Sequence, residues 1–225
     1  MTTSNTSKLK LVPTQVPAFP FAPVQYEQRY HDQFSRILTQ YLNQNDNVNN
    51  ELLNTAGGRY LSLPHIAAQD NTNQYATAAN TATVVKWSAT DSNVGFTLNV
   101  DNSASTQDAG IYKIDYSLQF ANTDTQTHDA YVWLHVDGAD VVGSGSKFSV
   151  PSSHGGVPGY LVAYSSLTFN VPAGDKITLY WATNQAATSG GATGVYMQTT
   201  AAQTSPFAMP SVPSAVGSIV FVSRS

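Results

Sequence analysis

Gly110-Ile-Tyr-Lys-Ile-Asp-Tyr-Ser-Leu-Gln-Phe120 is the stretch that decides the fold. Tyr112, Ile114, Tyr116, Leu118 and Phe120 take every second position, separated by Ile111, Lys113, Asp115, Ser117 and Gln119. A period of two puts the first set on one face of an extended strand and the second set on the other. Five large apolar side chains on one face demand a core, whereas the opposite face is mostly polar. The stretch predicts a long strand in an antiparallel sheet covered on one side.

Working outward, the same grammar repeats. Strands are predicted at 60–67, 83–89, 94–100, 110–121, 129–137, 160–171, 176–183, 194–200 and 216–224. Asp137-Gly138-Ala139-Asp140, Pro172-Ala173-Gly174-Asp175 and Ser189-Gly190-Gly191 supply turn chemistry between them. Eight or nine short strands at this spacing specify an all-β sandwich or jelly roll over residues 57–225. Within it, Tyr131, Trp133 and His135 alternate with Val132, Leu134 and Val136, so both faces of that strand are largely apolar. A strand apolar on both sides packs against something on each side. A subunit interface through Tyr131 and Trp133 is the expectation that follows.

Upstream the grammar changes. The segment 26–56 reads as a helical stalk, with its helix over 26–53. Phe34, Ile37, Tyr41, Val48 and Leu52 fall near a seven-residue repeat that Leu38 and Leu42 widen. One helix cannot bury such a stripe alone: it lies on the β domain or meets copies of itself in a short bundle. The break at Gly57-Gly58 favours the bundle, which makes these five residues candidate contacts between copies. Residues 1–25 place Pro13, Pro17, Pro20 and Pro23 among apolar side chains, which disfavours helix and sheet alike. The plain reading is a solvated tail. The alternative is an extended arm that docks Val16, Phe19, Phe21 and Val24 in a groove on a partner.

Composition narrows the function. Only 11% of the 225 residues are charged, and from residue 60 onward ten Asp face four Lys and Arg224. That local balance of −5 leaves no basic stripe for nucleic-acid phosphates. Without cysteine there is neither a disulfide framework nor a thiolate metal site. No stretch has the length of a membrane span. The N-terminus lacks the apolar core of a signal peptide, so arrival by assembly is the expected route.

The catalytic signals are weak. His31, His65, His128, His135 and His154 are scattered, without metal-ligand spacing. Ser152-Ser-His-Gly-Gly156 lacks a nucleophile-elbow motif. Gly143-Ser-Gly-Ser-Lys147 is too short for a phosphate loop. Asp137 with Asp140, or Asp70 with Asn71 and Asn73, reads as turn capping in preference to calcium binding. No cofactor is expected. Tyr160 and Tyr196 are candidate ring platforms for a surface ligand, although packing uses the same residue types.

Three segments together carry a family likeness. Gly110–Phe120 resembles a Gly-x-Tyr strand, Ala130-Tyr-Val-Trp-Leu-His-Val-Asp-Gly138 an aromatic strand ending at a turn, and Phe169-Asn-Val-Pro-Ala-Gly-Asp-Lys-Ile-Thr-Leu-Tyr-Trp181 the strand after an Ala-Gly-Asp turn. The set resembles the tumour-necrosis-factor-like jelly roll, and Pro213–Val222 resembles its hydrophobic final strand. The likeness implies a trimer with aromatic and aliphatic residues along a threefold axis. Tyr30–Gln44 is similar to the short helical leader of tailed-phage virion proteins. The combination implies a homotrimeric virion fibre or decoration protein, non-enzymatic. It would be anchored to tail adaptor, vertex or capsid proteins and would display its head to a host surface glycan. A free carbohydrate- or protein-binding module is the rival expectation.

Overall fold

The computed structural model describes residues 28–53 and 63–224. The arm expected at 1–25, with Val16, Phe19, Phe21 and Val24, lies outside them, as does the Gly57-Gly58 break. The chain divides into two compact units, one with the helix and one with the strands.

Helix α1 is Gln28–Leu53, 26 residues uninterrupted by Pro or Gly. Phe34, Ile37, Tyr41, Val48 and Leu52 are each more than half exposed on it. The stripe read from the sequence exists, and a single copy leaves it wet.

The strands are β1 His65–Asp70, β2 Gln74–Tyr75, β3 Thr83–Val84, β4 Ala89–Val94, β5 Phe96–Leu98, β6 Ala104–Thr106 and β7 Gly110–Asn122. They continue with β8 His128–Val136, β9 Ala139–Asp140, β10 Ser146–Val150, β11 Gly159–Val171, β12 Lys176–Thr183, β13 Val195–Met197 and β14 Ala215–Ser223. They form two seven-stranded sheets. The first runs β2-β13-β7-β14-β1-β4, with β11 paired to the other side of β7. The second runs β10-β8-β12-β6-β5, with β3 on β12 and β9 on β8. The chain passes from the second sheet to the first at β6–β7, back at β7–β8, and again at β10–β11 and β11–β12. This winding makes the sandwich a jelly roll.

The alternation in β7 does what the sequence demands of it. Tyr112, Ile114, Tyr116, Leu118 and Phe120 are at most 5% exposed, while Lys113 points into solvent. Across the sandwich they meet Val132 and Leu134 of β8 and Leu179 and Trp181 of β12, all at most 2% exposed. Phe120 and Trp181 bring their rings to 5.6 Å. Tyr112 sits edge-on to both Phe96 and Phe221, at 5.5 and 5.4 Å. Its hydroxyl donates to the Asp108 carbonyl at 2.8 Å, which satisfies the one polar atom this ring buries. Trp87 closes the interior by lying over Gly217, where a Cβ would stand 2.7 Å from the indole. The apolar cavity beneath holds about 30 Å³, space on the order of a water or two.

Several sequence expectations shift in detail: among the described residues the strand expected at 60–67 is His65–Asp70, and the one expected at 94–100 is Phe96–Leu98. The strand expected at 83–89 is two short strands with Trp87 between them. The one expected at 194–200 keeps only Val195–Met197. The stretch after Gly143-Ser-Gly-Ser is strand β10 from Ser146 onward, because it finds an open edge on β8.

Candidate functional site: two aromatic faces

With the interior closed, surface chemistry lies on the outward faces of the two sheets. On the second sheet the registers lay out a grid. Tyr131 of β8 stands opposite Lys147 of β10 and Ala182 of β12. Trp133 stands opposite Tyr180. His135 stands opposite Thr178 on one side and Asp140 on the other. Val132 and Leu134, one position off, are completely buried, so Tyr131, Trp133 and His135 must face out.

A turn delivers the acid to this grid. Asp137 and Gly138 have φ of 43° and 87°, the paired positive values of a two-residue hairpin turn. Two turn residues pair Val136 with Ala139 and His135 with Asp140. The carboxylate then accepts from Trp133 Nε1 at 2.8 Å and from His135 Nδ1 at 2.9 Å. These two hydrogen bonds, His135 first, hold Asp140 below the ordinary carboxylate range, so it is an anion at neutral pH. Trp133 also stacks on Tyr180, centroids 5.9 Å apart and planes 17° apart, and His135 meets the Tyr180 ring edge-on at 5.0 Å.

Lys147 completes the rim. Its ammonium lies 5.8 Å from the centre of the Tyr131 ring and 2.8 Å from Asp129. Asp129 also accepts from Ser149 Oγ at 2.9 Å. Bonding to Lys147 holds the Asp129 carboxyl low and pushes the Lys147 ammonium up, so this pair is charged and mutually neutralised. Between these groups lies an open cleft of about 700 Å³. Tyr131, Trp133, Asp140 and Lys147 line it together with Asn80, Ser146 and Thr183.

The first sheet presents a different face. Tyr75, Tyr196, Ala121 and Tyr160 form one cross-strand row over β2, β13, β7 and β11. Tyr75 and Tyr196 stack at 5.2 Å with planes 11° apart. Burial first, then the neighbouring Tyr75 and Tyr160, raises the Tyr196 phenol above its ordinary range. Val162 and Tyr164 continue the row along β11; Tyr160, Val162 and Tyr164 are 57, 55 and 60% exposed. Val216, Val220 and Val222 alternate outward on β14, because Ala215, Ile219 and Phe221 fill the core. Tyr164 Oη donates to Asp115 at 3.3 Å, and Lys113 pairs with the same carboxylate at 3.0 Å. Among the described residues, β11 pairs with β7 and with no other strand, although it is 13 residues long.

The structure thus separates residues that the sequence grouped otherwise. Tyr131 and Trp133, read as contacts between copies, share the second-sheet cleft with intramolecular partners. Tyr160 and Tyr196, read as ligand platforms, share the barer first-sheet face. Tyr75, Asp140 and Lys147 complete these surfaces and were not singled out for them. Only Asp140 left a usable signal: counting across Asp137-Gly138 places it beside His135.

Three other histidines, His65, His128 and His154, are accounted for locally. His65 bonds the Leu63 carbonyl and Ser92, His128 bonds Asp124 at 2.9 Å, and His154 closes a backbone bridge with Val157. Among the described residues, no three or more His, Asp or Glu gather closely enough to hold a metal ion. The helix α1 is too polar to cross a membrane.

No protein-family profile matches the chain, and none of the curated proteins compared matches it. Among solved structures, that of Eiger TNF from S. frugiperda is similar to it with a TM-score of 0.43 and 13% identity, over 72% of this chain and 94% of that one. The jelly-roll assignment rests on the strand winding itself.

Proposed function

We propose that the chain is a homotrimeric, non-enzymatic structural protein of a tailed-phage virion that displays its jelly-roll head. In this reading residues 1–25 dock on another virion protein, such as a tail adaptor, vertex or capsid protein. Copies of α1 meet through Phe34, Ile37, Tyr41, Val48 and Leu52, and the heads meet through the first-sheet face. The single observation that carries self-association is the exposure of apolar side chains on two strands of this face, Tyr160, Val162 and Tyr164 on β11 and Val216, Val220 and Val222 on β14, with β7 between them.

The physical case is one of area and polarity. Each of those β11 side chains still has more than half its surface in water, and hiding it is worth roughly 1 kcal/mol. Several such side chains in each of three copies outweigh the entropy of ordering a surface that the sheet already holds rigid. Closure around a threefold axis would also protect the long β11 edge from open-ended pairing. The virion setting draws support from the likeness of Tyr30–Gln44 to phage leaders, and from neutral polar composition.

Sedimentation of the full chain tests the assembly. The expected species is a trimer that Tyr164→Asp disperses without lowering the melting temperature of the head. A monomer in the unsubstituted chain defeats the reading. Deleting residues 1–55 should abolish incorporation into particles while the head stays trimeric; retained incorporation removes the anchoring role.

A further inference from the structure

The second-sheet cleft has a composition that the first-sheet face lacks. Both aromatic rings that line it are tied to a charged group: Trp133 to Asp140 and Tyr131 to Lys147. The indole is fixed twice, by its stack on Tyr180 and by its bond to the carboxylate, so its orientation is set before anything binds. Residue 145 is glycine with open space where a Cβ would stand, which keeps one wall of the cleft low. Asn80 adds a neutral amide on the rim, while the Ser146 and Thr183 side chains, opposite the buried Val132 and Ala130, turn inward. At about 700 Å³ the cleft lies in the size range of small-molecule sites.

We propose that this cleft is a saccharide-binding site selective for neutral pyranose rings. A pyranose has an apolar face of C–H groups and an equator of hydroxyls. Rigid rings at Tyr131 and Trp133 suit the first. Asp140 and Asn80 suit the second, since carboxylate and amide oxygens accept from hydroxyls and the amide also donates.

Charge selects the neutral class. The one ammonium in the cleft, Lys147, is already held by Asp129, and Asp140 is exposed and anionic. An acidic sugar would meet a carboxylate without a free cation to answer it. A phosphorylated ligand meets the same objection, and a flat apolar peptide would leave Asp140 without its water. The site gives the proposed display head a chemical partner on a host surface. It rests on that reading for its setting but not for its geometry, because one chain supplies every lining residue.

The test uses the full chain labelled with 5-fluorotryptophan, whose three tryptophans report separately by fluorine resonance. The probes are methyl glucopyranoside, methyl galactopyranoside, methyl mannopyranoside and lactose, with 3′-sialyllactose as the acidic counterpart of the last. A neutral probe is expected to move the Trp133 line and leave that of the buried Trp181 in place, saturating at millimolar concentration, about −4 kcal/mol. Sialyllactose should bind more weakly than lactose. Tyr131→Ala and Asp140→Ala should each weaken binding roughly tenfold, the loss of one ring contact or one charge-assisted hydrogen bond. No shift of the Trp133 line by any neutral probe at about 100 mM, far above a millimolar constant, overturns the site. So does a shift that both substitutions leave unchanged, or preference for the acidic probe. Sedimentation of the same samples keeps the two readings apart: a monomer that binds sugar sinks the trimer alone, and a trimer that ignores sugar sinks the cleft alone.

Discussion

The two outward faces of this sandwich are made from the same residue types and arranged to opposite effect. On the first sheet, Tyr160, Val162 and Tyr164 stand with most of their surface bare, one strand away from the outward valines of β14. On the second, Trp133 is stacked, hydrogen-bonded and half-buried before any partner arrives. The contrast teaches that aromatic count does not tell an assembly surface from a ligand surface. What separates them is whether each ring already has a polar partner within its own chain. Bare rings gain most from mutual burial, whereas rings held by fixed polar groups offer orientation as well as area.

That contrast can be broken at several depths. Trp181→Ala removes the shared core under both faces and is expected to cost about 3–5 kcal/mol of head stability, read by denaturant unfolding. Any smaller loss would mean that the two sheets hold their faces independently. Next in size is Val162→Asp on the bare face. Placing a carboxylate where three copies meet should cost several kcal/mol of association, seen as dispersal at micromolar concentration, with head stability unchanged. The equivalent change on the other face, Ala182→Asp, should leave assembly untouched. If it disperses the trimer equally, the faces have been assigned the wrong way round.

Smaller effects sharpen the picture within the cleft. A double-mutant cycle of Trp133→Leu and Tyr180→Leu should return a coupling of roughly 1 kcal/mol, that of a stacked aromatic pair. A coupling near zero would mean that the rings are neighbours only. The last prediction concerns pH. Asp140 is held low by His135 and Trp133, so its contribution is complete above the ordinary carboxylate range and disappears only as pH falls through its lowered value. The movement of the Trp133 resonance that follows Asp140 should therefore be centred below the ordinary carboxylate range of about 4. Movement centred on the ordinary range would show that the indole does not report this bond.

Much of the fold was legible because its decisive strands are long and their alternation is pure. Gly110–Asn122 and Lys176–Thr183 carry enough period-two signal to fix both their extent and their buried face. Short strands gave no such signal. Gln74–Tyr75 is two residues long and takes its place only because Val195–Met197, more than a hundred residues later, offers an edge. Ser146–Val150 follows a Gly-Ser run whose composition says loop, and pairing with β8 overrides it. The faces were half legible. Periodicity shows that Tyr131 and Trp133 leave the core, but not whether their partner is another copy or their own chain. Asp140, a short hairpin away, gives Trp133 one partner within its own chain. The Tyr75–Tyr196 stack and the Tyr160 row depend on cross-strand registers that no local pattern encodes.

Burial of the first-sheet face between three copies is the claim on which the rest depends. Sedimentation velocity of the full chain beside its Val162→Asp/Tyr164→Asp variant, at matched micromolar concentration, tests it most directly. The expected result is a single species near three times 24.1 kDa for the former and a folded monomer for the latter. A folded, unassociated 24.1 kDa species in both samples would contradict it.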